Sequence, residues 1–195
     1  MGDIVNLYFS EVSKVANEIP KNKINKMVEI LSTCRKKSGR VFFLGVGGSA
    51  GNCSHAVNDF RKLCKIEAYT PTDNVSELTA RTNDEGWDTV FEEYLKISKL
   101  NKNDIIFIFS VGGGNQIKKV SINLIKAIKY AKKRGSKVLS IVGKKDGYAF
   151  SNSDVSVNIS TNQKKFVTPL SEAFQAVVWH CLVSHPDLSM CKTKW

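Results

Sequence analysis

Apolar residues along the chain fall into two kinds of pattern. Some stretches are continuous: Val41–Val46 (VFFLGV), Asp104–Val111 (DIIFIFSV) and Lys137–Gly143 (KVLSIVG). Short continuous runs of this kind mark strands buried on both faces of a parallel sheet. A weaker run at 66–69 and an alternating one at 154–160, DVSVNIS, add two outer strands. Other stretches repeat at helical spacing. Ile4, Leu7, Tyr8, Val12 and Val15 give a helix over 3–18; Ile24, Met27, Val28, Ile30 and Leu31 give a second, started at Asn22 and stopped at Gly39. Further helices are expected over 50–63, from the Pro71 turn to Arg81, over 87–100 after an Asn83–Gly86 turn, over 115–134 and over 169–183. In the fourth of these, Ile117, Val120, Leu124, Ile128 and Ala131 form the inward stripe and Gly135 is the stop.

Two helices followed by repeated strand–helix units predict an α/β fold. The expected form is a three-layer sandwich on a mostly parallel five-stranded sheet. No linker divides the 195 residues, so a single domain over 1–195 is expected, with 1–38 as its helical N-terminal part.

Composition narrows the function. The chain is 42% hydrophobic and 24% charged, as globular proteins are. No apolar run approaches the ~20 residues of a membrane span, and the N-terminus lacks the basic and apolar regions of a signal peptide. The five cysteines form no CxxC pair, which suits reduced thiols and a cytoplasmic protein with no membrane partner. The net charge of +11 admits nucleic-acid binding, attraction of small anions, or solvated helix faces. Its lysines are spread through KKSGR, KYAKKRGSK and GKKDG, with no arginine-rich arm, so no nucleic-acid partner is expected.

Candidate chemistry gathers where strands one and three of the chain's apolar runs end in glycine. The first turn is Gly45-Val-Gly47-Gly48-Ser49, the second Ser110-Val111-Gly112-Gly113-Gly114-Asn115. Glycines let a backbone approach a ligand, the following helix points free N–H groups at it, and the serines add hydroxyl donors; this suits a phosphate. A tight capped turn is the plainer reading of each. The first turn also fits Gly45-x-Gly47-x-x-Ala50, with Glu67 about 20 residues on, which is the dinucleotide pattern. A P-loop is excluded, because GxxxxGK[ST] does not occur. His55 and Asp59 share one helix face at i, i+4, a half-site for zinc or another first-row metal, or simply a histidine held by a local carboxylate. Glu172 and His180 stand two turns apart on the last helix, with Trp179 beside the histidine.

Taken together, Gly-Val-Gly-Gly-Ser-x5-His55-x3-Asp59, the TDN at 72–74, the NDEGW at 83–87, the glycine turn after Ser110 and the last helix resemble the sugar isomerase (SIS) fold, and most nearly the phosphoheptose isomerases. The resemblance spans nearly the whole chain. It implies interconversion of sedoheptulose 7-phosphate and D-glycero-heptose 7-phosphate, with a non-catalytic phosphosugar-binding or regulatory protein as the alternative. It also implies a homotetramer with sites between subunits, residues 1–38 serving in its assembly. A divalent metal, zinc by expectation, would be held by His55, Asp59, Glu172 and His180. Asp59 and His180 would be the catalytic base and acid. Gly47, Gly48, Ser49, Asn83, Asp84, Ser110, Val111, Gly112, Asn115 and Glu172 would contact the sugar phosphate. Three positions depart from the family pattern: Asp59 stands for Glu, Glu172 for Gln, and Val46 for Asn. The second turn also departs, having lost two hydroxyl residues.

Overall fold

The computed structural model describes residues 3–191. The outer ends of the expected domain, residues 1–2 and 192–195, lie outside the described residues. Two helices, α1 (Ile4–Glu18) and α2 (Lys21–Lys36), precede the first strand. Then come β1 (Arg40–Leu44), α3 (Gly48–Cys64), β2 (Glu67–Tyr69), α4 (Val75–Asp84) and α5 (Val90–Ile97). The chain continues through β3 (Ile105–Ser110), α6 (Ile122–Lys133), β4 (Lys137–Val142), α7 (Tyr148–Asn152), β5 (Val155–Asn158) and α8 (Val167–Ser184).

The five strands pair in the order β2-β1-β3-β4-β5, every pair parallel. Side chains alternate between two cores, as a sheet covered on both faces requires. Val41, Phe43, Phe107, Phe109, Leu139 and Ile141 pack with α2, α3 and α8. Phe42, Leu44, Ile106, Ile108, Val138 and Val142 pack with α5 and α6 on the other face. The direction of winding reverses between β1 and β3, which are neighbours in register from Val41↔Ile105 to Leu44↔Ile108. In open parallel sheets the crevice beyond the strand ends at such a reversal is where ligands bind. Both glycine turns leave the sheet there.

Several boundaries differ from the sequence reading. The helix expected from Asn115 starts at Ile122. Gly113 and Gly114 have φ of +69° and +84°, and Asn115 pairs with Val120 through both backbone N–H···O bonds, so 115–120 form a small closed loop. Ile117 and Val120, expected on the inward stripe, are 95% and 52% exposed. The helix expected from Trp87 starts at Val90, because Gly86 (φ +85°) and a Gly86–Thr89 turn come first. Asn83 and Asp84 end α4 rather than form the turn after it. Helix α2 begins one residue after Pro20, ahead of Asn22. The short α7 was not foreseen. On α1 the outer part of the expected buried stripe is exposed, Ile4 at 51%. α8 belongs to the one stretch among the described residues long and apolar enough to cross a membrane, and half of that stretch is buried inside this fold. It packs on α3 as a core helix.

Candidate active site

Helix α3 carries one half of the site and α8 the other. The turn into α3 needs Gly47, whose φ of +63° sits in the left-handed region. Gly45 is needed for space, and Gly48 leaves room for the end of a side chain from α8. A Cβ on Gly45 would lie 2.7 Å from the Ser49 carbonyl oxygen, and one on Gly48 would lie 2.6 Å from a carboxylate oxygen of Glu172. The two helices are locked by buried polar side chains. Gln175, fully buried, donates from Nε2 to Ser49 Oγ (3.0 Å) and accepts from Asn52 Nδ2 (2.9 Å), which also donates to the Glu172 carbonyl. Ser49, expected at the substrate, is 2% exposed and serves this clamp.

The clamp brings three expected site residues together. Asp59 Oδ2 lies 4.0 Å from His55 Nε2 and 3.8 Å from His180 Nε2. One ligand atom from each of the three falls within 4.8 Å of the other two. Asp59 Oδ1 accepts from Asn58 Nδ2 at 2.8 Å, which leaves Oδ2 facing the imidazoles. His180 Nδ1 stands 2.9 Å from the Ala176 carbonyl, so that nitrogen carries the proton and Nε2 offers its lone pair. A backbone acceptor on the far ring nitrogen is the usual support of a metal-binding histidine. Donors about 2.1 Å from a tetrahedral ion stand about 3.4 Å apart, so the observed spacings need only a small closure. Two imidazoles and a carboxylate therefore fit a divalent first-row metal and leave a coordination position open.

Glu172, the fourth expected ligand, stands apart from this cluster. Eight residues of helix separate it from His180, about 12 Å along the axis. Its carboxylate rests instead against Gly48, at the N-terminal end of α3. Negative charge is favoured at that end of a helix.

The second turn is held differently. Ser110 Oγ accepts the Gly113 N–H at 2.9 Å, and the Ala149 N–H donates to the Gly113 carbonyl. A Cβ on Gly147 would lie 2.1 Å from the Gly112 carbonyl oxygen. The turn is thus pressed against the β4–α7 connection, with Val111 and Gly112 half-buried at the rim. Asn115 spends its side-chain oxygen on the Lys118 N–H. Asn83 and Asp84 are exposed and bond each other, Nδ2 to Oδ1, at 2.7 Å.

The three buried thiols are poor nucleophiles. Burial pushes the Cys34 thiol up to about 12 and Cys64 up to about 11, and Cys53, beneath Gly45, is raised by burial as well.

Sequence reasoning missed Gln175, Asn52, Asn58 and the Ala176 carbonyl. Gln175 had a signal: it lies on the inward stripe of α8 with Ser171, Phe174, Val178 and Leu182, where an amide must find partners.

A family model described as the SIS domain matches residues 7–143. The chain belongs to the SIS-domain family. Relatives of this SIS-domain protein include the lincomycin biosynthesis protein LmbN of Streptomyces lincolnensis, 29% identical over 93% of this chain and 68% of that one. A phosphoheptose isomerase of Campylobacter jejuni is 31% identical over 75% of this chain and 79% of its own. Phosphoheptose isomerases recur among the relatives, which sets the protein among the phosphosugar isomerases. In fold it is similar to phosphoheptose isomerase GmhA from Neisseria gonorrhoeae, with a TM-score of 0.78 at 24% identity, covering 92% of this chain and 95% of that one.

Proposed function

We propose that this SIS-domain protein isomerises sedoheptulose 7-phosphate to D-glycero-heptose 7-phosphate in the cytoplasm. The observation that carries the reading is the convergence of His55, Asp59 and His180 where α3 packs on α8. Aldose–ketose isomerisation moves a proton between adjacent carbons through an enediol, so it needs a base, an acid and a stabiliser of oxygen charge. Asp59 Oδ2 takes the proton from carbon. His180, whose Nδ1–H is held by Ala176, takes the sugar hydroxyl proton on its Nε2 lone pair and passes it to the neighbouring oxygen, a role open to it while Nε2 is not bound to an ion. Asp59 is one methylene shorter than the family's Glu, so the sugar must lie roughly 1.5 Å nearer α3. His55, Asp59 and His180 would hold a divalent metal, zinc by the chemistry of the donors. When bound, it supplies Lewis-acid polarisation of the sugar oxygens.

The sugar lies at the strand ends beside Gly47, Gly48 and the Glu172 carboxylate, reaching the second turn. Because about 10 Å of α3 separates Gly48 from His55, the His55–Asp59–His180 cluster meets it across a subunit boundary. At the second turn the Ser110 hydroxyl and the backbone of Val111 and Gly112 receive the phosphate, with Asn115 shaping the loop. Ser49 acts indirectly, by tying Gln175. Asn83 and Asp84 meet sugar hydroxyls from the end of α4. Residues 1–195 act as one unit and assemble as a homotetramer through 1–38. Supporting this, α1 leaves Ile4, Val5 and Phe9 exposed at 51, 59 and 63%, and the imidazoles of His55 and His180 are open to a neighbouring subunit.

The test is a panel of five- to seven-carbon ketose phosphates assayed with and without a chelator. Turnover should be confined to the heptulose phosphate, fall on chelation and return with zinc. No turnover of any member by zinc-loaded protein would overturn the isomerase assignment; turnover of a different sugar alone would overturn the substrate.

A further inference from the structure

Trp179 and His180 are consecutive on α8, and consecutive helix residues point about 100° apart, so their side chains do not ordinarily face each other. Here their ring centroids are 3.5 Å apart with planes inclined by 33°. The same indole meets His55 of α3 edge-on, at 4.7 Å and 65°. The two imidazoles stand 5.4 Å apart and nearly perpendicular, at 85°. Trp179 has no exposed surface, whereas the His55 and His180 side chains are 59% and 49% exposed. One fully buried indole is therefore the inner wall on which two solvent-facing rings rest.

The choice of tryptophan has a cost. Its Nε1–H is buried and has no acceptor among the described residues. Leaving a donor unpaired in the interior is unfavourable, and phenylalanine would avoid it. What tryptophan adds is a larger π face, enough to touch both histidines at once. Exposed imidazoles otherwise keep several rotamers, whose loss must be met when they bind an ion.

We propose that Trp179 is a positioning residue for the metal site. Its indole fixes the ring planes of His55 and His180 so that both Nε2 atoms face Asp59 before an ion arrives. The inference rests on the metal-site reading above. Outer supports of metal ligands typically contribute 10- to 100-fold in affinity, and the indole acts on two ligands.

Zinc affinity of chelator-stripped protein, measured by calorimetry, tests it. Trp179→Phe, with a smaller face, should bind about 3- to 10-fold more weakly, and Trp179→Leu about 10- to 100-fold more weakly. A folded Trp179→Leu protein that binds zinc as tightly as wild type would overturn the inference. Should Trp179→Leu fail to fold, NMR of the wild-type histidines decides: the stacked indole must shift the His180 ring protons upfield without any metal, and their appearance at ordinary positions would overturn it. His180→Ala separates the two readings. If that variant binds zinc undiminished, the metal site itself is wrong; if it loses zinc while Trp179→Leu does not, only the role of the indole falls.

Discussion

The two glycine turns look alike in sequence and are built for different tasks. After β1, Gly47 is followed at once by α3, and Ser49 and Asn52 in the first turns of that helix are clamped to α8 through Gln175. After β3, the chain makes its turn and then spends residues 115–121 outside any helix before α6 begins. The first turn is thus part of a rigid two-helix block carrying the imidazoles and the carboxylates. The second is a bend pressed on the β4–α7 connection, with a loop hanging from it. A glycine run after a buried strand says where a ligand can approach. The residues that follow decide whether the helix dipole is delivered there.

The largest effect should come from the rigid block. His180→Ala is expected to reduce isomerisation by a factor of about 10³ or more, equivalent to roughly 4 kcal/mol of barrier. The melting temperature should stay within a few degrees, since the side chain is half exposed and packs mainly on Trp179. Turnover of sedoheptulose 7-phosphate alongside a thermal melt checks both. Activity surviving in the folded variant would show that the α3–α8 block is a scaffold and that chemistry belongs elsewhere.

Next is the space inside the first turn. Gly45→Ala sets a Cβ against the Ser49 carbonyl at 2.7 Å and Cys53 Sγ at 2.9 Å, both fixed by α3. Overpacking of fixed atoms costs about 1–3 kcal/mol, so a drop in stability at the upper end of that range is expected in denaturant titration. Gly48→Ala meets only the end of the Glu172 side chain. It should leave stability nearly unchanged and displace the carboxylate, lowering turnover by up to about 10²-fold. If the two variants behave alike, Glu172 is held more tightly than its place on Gly48 suggests.

These contrasts mark what the sequence could disclose. The three central strands were legible because both faces are buried, which forces continuous apolar runs such as Ile105–Phe109. His55 and Asp59 were legible because i, i+4 spacing on a helix is itself a geometric statement. The true start of α6 was not: Ile117 and Val120 fall by chance in phase with Leu124, Ile128 and Ala131, and the stripe reads through a loop that two left-handed glycines and the Asn115–Val120 pairing create. The meeting of α8 with α3 is a tertiary event, and no local spacing encodes it. Resemblance supplied His180, whereas the place of Glu172 on Gly48 depended on side-chain packing that resemblance does not carry.

A smaller effect tests the clamp. Ser49→Ala removes the acceptor for Gln175 Nε2 in a fully buried setting, leaving an amide donor without its partner. That should cost about 1–3 kcal/mol in stability. Gln175→Leu, which removes the amide as well, strands Ser49 and Asn52 instead. The double variant Ser49→Ala with Gln175→Leu should therefore cost less than the sum of the two single changes. Strict additivity in a double-mutant cycle would mean that the hydrogen bond contributes little and that apolar packing alone joins the helices.

The smallest effect belongs to the loop of the second turn. Lys118 and Lys119 are exposed beside Ile117, which is 95% exposed at the loop's tip, and Lys119 adopts a φ of +50°. They stand on the same strand exit as Ser110, where the phosphate is proposed to sit. Replacing both with alanine removes two positive charges from the approach without touching the turn. Exposed charges act through water and salt, so KM for the sugar phosphate should rise about 2- to 5-fold with kcat unchanged, and the difference should fade in 0.5 M salt, where the screening length is about 4 Å. A larger, salt-independent rise would mean that a lysine bonds the phosphate directly. The loop would then be doing for the second turn what the helix N-terminus does for the first, and the contrast between the two turns would vanish.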